Sequence, residues 1–109
     1  MPYDQELAER VREAFRGRRG VEEKRMFGGL AFMFRGHMCC GVVGGDLMVR
    51  VGPKEYENAL REPNARPMDF TGRPLTGFVY VSPQGHARRP SLQKWVQRSV
   101  RFAESLPRK

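Results

Sequence analysis

At 109 residues the chain has room for one domain with its own hydrophobic core, and 39% hydrophobic against 29% charged residues is the balance of a globular protein, not of a disordered one. No apolar run approaches the length of a membrane span, and the opening MPYDQELAER carries acids where a signal peptide or targeting helix would have none, so the expected compartment is the cytoplasm. The net charge of +8 points to nucleic acid or another acidic partner, but residues 88–109 hold most of it, with seven cations against one acid.

Asp4 is a good N-cap, and Leu7, Val11, Ala14 and Phe15 recur at helical spacing, which predicts a first helix over Gln5–Arg16. A glycine-bounded break follows, and Val21–Phe27 reads as a charged edge strand. From Lys24 to Gly52 the chain is apolar almost throughout and punctuated by glycines. It predicts strands over Leu30–Phe34, Met38–Val43 and Leu47–Val51. Pro53 opens a second helix with Tyr56, Ala59 and Leu60 as its buried positions. Residues 62–77 are a Pro- and Gly-rich excursion with one short strand near Pro67–Phe70, where Arg66 and Arg73 flank Asp69 as a candidate ligand-binding loop. Phe78–Val81 is a further strand. A last helix begins at Pro90 and Ser91, with Leu92, Trp95, Val96, Ser99, Val100, Ala103 and Leu106 on one stripe. The order, one helix, three or four strands, a helix, one or two strands and a helix, predicts a single α+β domain over residues 1–109: two layers, an antiparallel sheet and three helices.

The hairpin turns set which residues share a face. A two-residue loop at Gly36–His37 and a three-residue loop at Gly44–Asp46 would put Leu30, Phe32, Phe34, Cys39, Gly41, Val43, Leu47, Val49 and Val51 on one face. The other face then carries Met33, Met38, Cys40, Val42 and Met48, too apolar to stand in water, and these five form the candidate partner interface. Either a long loop of the same chain covers that surface, or a second subunit or another protein does; the second reading predicts a protein partner and a homodimer. The rival site is basic: Arg88, Arg89, Lys94, Arg98 and Arg101 could meet phosphates along the last helix, without base stacking and so without sequence preference.

Catalytic signatures are missing. The chain has no GxSxG, HExxH or GxxxxGK, its two histidines, His37 and His86, fall in a predicted turn and a predicted loop, and Cys39 and Cys40 fall inside a strand, away from any activating helix end. Adjacent strand cysteines face opposite ways and cannot form an ordinary disulfide, and with His37 they are too crowded for a metal site. Gly28–Gly29 lies between strands, so a turn is the expected use and a phosphate cradle is not. The expectation is a non-enzyme without cofactor or metal.

The element Arg25-Met26-Phe27-Gly28-Gly29, the glycine-punctuated strands after it, Leu47–Gly52, Phe70 with Gly77-Phe78-Val79-Tyr80-Val81 and the Trp95-bearing last helix resemble the N-terminal domain of the TfoX/Sxy family of bacterial competence regulators. The resemblance covers nearly the whole chain. It implies a small domain similar to secretion-chaperone-like folds, acting as a regulatory or interaction module, with a transcription regulator as partner. Full-length members add a helical C-terminal domain, so this chain reads as a stand-alone N-terminal domain, and the resemblance supplies no catalytic residues.

Overall fold

The computed structural model describes residues 3–26, 28–69 and 74–107. In chain order these form α1 (Gln5–Ala14), β1 (Val21–Met26), β2 (Gly29–Phe34), β3 (His37–Val43), β4 (Asp46–Arg50), α2 (Tyr56–Leu60), β5 (Ala65–Asp69), β6 (Pro74–Val81), α3 (Pro83–His86) and α4 (Arg89–Glu104). The α+β class and the antiparallel sheet stand as expected. Four helices replace the expected three, because Pro83 starts a single helical turn within the segment read as a loop.

The six strands make one antiparallel sheet in the order β1-β2-β3-β4-β6-β5. Strands β1 to β4 form a meander, while α2 carries the chain past the sheet so that β6 pairs with β4 and β5 takes the outer edge. The side chain of Asp4 caps α1 by accepting from the Leu7 amide at 3.1 Å. The helices pack on one side of the sheet. Leu7, Val11, Phe15, Leu92, Trp95, Val96, Val100 and Ala59 share one core with Leu30, Phe32, Cys40, Val42, Leu47, Val49, Val79 and Val81 from the strands. Near its centre the Phe15 and Phe32 rings stack at 5.7 Å, joining the end of α1 to the sheet.

The register corrects the expected faces. The β2–β3 turn is Arg35–Gly36, one residue earlier than expected, with Phe34 opposite His37 and both turn residues at positive φ (55° and 85°). A bulge then shifts the pairing, so that Phe32 faces Cys40 and Leu30 faces Val42. The next turn is a two-residue one, with Val43 opposite Asp46. Cys40 and Val42 therefore point to the helices, and Gly41 and Val43 take their places on the other face.

The bulge also brings the two neighbouring cysteines into the same interior. Cys39 Sγ lies 3.1 Å from Ser99 Oγ, and Ser99 in turn donates to the Val96 carbonyl at 2.7 Å, so the Cys39 thiol is the donor to Ser99. Cys39 beside it, together with burial, pushes the Cys40 thiol well above its ordinary pKa. Both cysteines are free and fully buried, as packing residues are. Neither histidine stands in solvent. His37 Nε2 donates to the Pro107 carbonyl at 2.5 Å, and His86 Nε2 to the Gly45 carbonyl at 2.9 Å, so each ring ties together distant parts of the chain.

Candidate functional site

On the face opposite the helices, the register lays one row across all six strands: Lys24, Ala31, Gly41, Met48, Tyr80 and Arg66. Met33 faces Met38 beside this row, Phe78 faces Arg50 on the same side, and Val43 and Met26 lie on the other. None of these residues belongs to the core shared with the helices. Four of the six methionines, Met26, Met33, Met38 and Met48, thus stand on the sheet face without helices.

The middle of the face is apolar and filled. Gly41 leaves a hollow, and Met48 fills it, its Cε 3.2 Å from the place a Cβ at Gly41 would occupy. Ala31 and Met48 are each only 1% exposed as a result. Met26, Met33, Met38, Val43, Phe78 and Tyr80 remain half-buried and form the part that a partner could touch. Burial raises the Tyr80 hydroxyl above its ordinary pKa. Charges on this face are close to balance: Arg66 pairs with Asp46 at 2.6 Å while covering the Tyr80 ring, and Glu22 and Lys24 stand one residue apart on β1. Of the five interface candidates, then, Met33 and Met38 are placed as expected. Met48 is on the right face but sunk into it, and Cys40 and Val42 are on the wrong one.

The basic candidates do not form one line. Arg98 is engaged: it pairs with Glu62 and its guanidinium lies 4.5 Å from the centre of the Trp95 ring, leaving its side chain 15% exposed. Arg89 lines a groove with the acids Glu6, Glu9 and Glu13 of α1, and Arg88 precedes the helix. Lys94 and Arg101 alone of the five are both exposed and on one face of α4. Arg66, expected in a ligand-binding loop, is occupied by Asp46; Arg73, Phe70 and the Phe27 of the family element lie outside the described residues.

Sequence reading missed a different arginine. Arg50 ends β4 with its guanidinium between the rings of Phe78 and Phe102, 5.2 and 5.1 Å from their centres, and donates to the Met38 carbonyl at 3.4 Å. Burial lowers its pKa, and no carboxylate pairs with it among the described residues. The only signal in the sequence was its apolar setting, Leu47–Val51, which by itself names no partner.

Within the Arg25–Gly29 element, Gly29 is the position whose side chain the fold excludes. Gly29 approaches the β3 backbone so closely that a Cβ there would lie 2.1 Å from the Val42 carbonyl oxygen. The family model described as the TfoX N-terminal domain matches residues 13–103. The chain belongs to that family. No curated protein and no solved structure matches it. The TfoX N-terminal domain match runs from the end of α1 nearly to the end of α4, so it includes the whole sheet and both of its faces. Among the described residues no group of three or more His, Cys, Asp or Glu side chains could hold a metal ion, and no helix is long and apolar enough to cross a membrane.

Proposed function

We propose that this TfoX N-terminal domain is a non-enzymatic regulatory module that works by protein contact through the methionine-bearing sheet face, in the first place with a second copy of itself. One observation carries the reading: helices cover one face of a six-stranded sheet, while the other presents half-buried Met26, Met33, Met38, Val43, Phe78 and Tyr80. Thioether side chains are flexible and polarisable, so they adapt to a facing surface at little cost in strain. The near balance of charge on this face lets two copies meet despite the net charge of +8 on each chain. Two sheets packed face to face would then give each the second layer that it lacks.

Size-exclusion chromatography with light scattering tests this. The expected mass is twice the 12.5 kDa of the chain, and Met33→Glu, which places a charge on a half-exposed position, should give a folded monomer with an unchanged far-UV spectrum. Met48→Glu is not the variant to use, since that side chain is buried in the single chain. A monomer at every concentration up to millimolar, or a dimer indifferent to Met33→Glu, contradicts the proposal.

A further inference from the structure

A cleft of about 430 Å³ opens where the corner after β4 meets the C-terminal half of α4. Its apolar walls are Val51, Pro53 and Phe102, and its charged groups are Lys54, Arg101, Arg98 and a single acid, Glu55. The walls are held in place by the fold. Val51 and Gly52 both donate their amides to the Gly77 carbonyl, at 2.8 and 3.1 Å. Gly52 adopts φ +87° and lets the Phe102 ring come so close that a Cβ would stand 2.3 Å from it.

The charges are not evenly satisfied. Arg98 is fixed by Glu62 and Trp95, and the Glu55 carboxylate accepts from Asn58 at 3.5 Å. Lys54 and Arg101 have no ion pair among the described residues. Two cations without an ion pair against one acid leave a preformed cavity with apolar walls positively charged, and a dianion entering it is attracted more strongly than a monoanion. The volume lies within the range of small-molecule sites.

We propose that this cleft binds a phosphomonoester on an apolar or aromatic body, the phosphate between Lys54 and Arg101 and the body against Val51, Pro53 and Phe102. The site is independent of the sheet face, and its failure leaves the contact proposal standing.

The test is titration of the full chain with phenyl phosphate, followed by amide NMR shifts and by thermal shift. Saturable shifts confined to residues 51–55 and 98–105 are expected, with inorganic phosphate and benzoate both binding more weakly. Arg101→Gln and Lys54→Gln should each weaken binding roughly fivefold to tenfold, the loss of one charge-assisted hydrogen bond. Lys94→Gln, on the same helix outside the cleft, should change nothing. AMP should move the same cleft amides and resist displacement by a short DNA duplex, whose backbone phosphates are monoanionic diesters; displacement by the duplex at comparable phosphate concentration would overturn the proposal. Shifts that never saturate, shifts spread over the surface, or an effect of Lys94→Gln as large as that of Arg101→Gln would overturn the proposal.

Discussion

Gly29→Ala is expected to abolish folding or leave a protein more than about 3 kcal/mol less stable, beyond the usual range for an added methyl group in a packed core. The added Cβ would stand 2.1 Å from the Val42 carbonyl oxygen and 3.2 Å from the Val43 Cα, all backbone atoms of the paired strand. No side-chain rotation relieves that contact, so β2 and β3 would have to part where Leu30 pairs with Val42. Its neighbour supplies the control. At Gly28 a Cβ meets nothing within 4 Å, and only φ +71° opposes substitution. Gly28→Ala should then cost about 1–2 kcal/mol, the strain of a left-handed residue. Urea unfolding of the two variants measures the difference, and equal losses would show that torsion alone governs this turn.

Phe32→Ala should lower stability by about 3–5 kcal/mol, a large part of the total for a domain of this size. Phe32 is 1% exposed, sits between Glu23 and Cys40 in the register and stacks on Phe15, so its removal leaves a cavity where α1, β2 and β3 meet. Packing around such a cavity collapses only partly, because Phe15 is held at the C-cap of α1. The midpoint in urea should fall with the slope unchanged. A loss under about 1 kcal/mol would mean that the stacked pair is not central to the core.

The elements were legible in the sequence because their periodicities are strong: Leu7, Val11 and Phe15 for α1, Leu92, Trp95, Val96 and Val100 for α4, and the apolar runs of β2 to β4. Faces were harder. Glycine draws a turn toward itself, so Gly36–His37 was the natural choice, yet Arg35 adopts the left-handed conformation that non-glycine residues seldom take. That slip moves the pairing by two residues and leaves the faces unchanged; the bulge inverts β3, and the misplaced second turn cancels the inversion for β4, so Leu47 and Val49 face the helices as expected. The bulge at Cys39 could not be read at all, since a bulge depends on the partner strand and leaves no mark in a run such as Met38–Val43.

The candidate sites divide the same way. Met33 and Met38 were legible because they face each other on β2 and β3 between the turn and the bulge, where the pairing keeps its expected faces. Burial of both histidines was not, because His37 is enclosed by Pro107 and His86 by Gly45, contacts 70 and 41 residues distant. The broken basic line on α4 has a similar origin. Glu62, which takes Arg98, lies 36 residues earlier in a segment whose sequence shows no register with the helix.

The central claim is that the methionine-bearing face meets a second copy of the chain, and methyl NMR of a protein carrying ¹³C-labelled methionine methyls tests it most directly. Between micromolar and millimolar concentration the Met26, Met33 and Met38 methyls should shift along a single binding curve, with Met33→Glu removing the shifts of Met26 and Met38. Methionine methyls that stay fixed over that range would contradict the account.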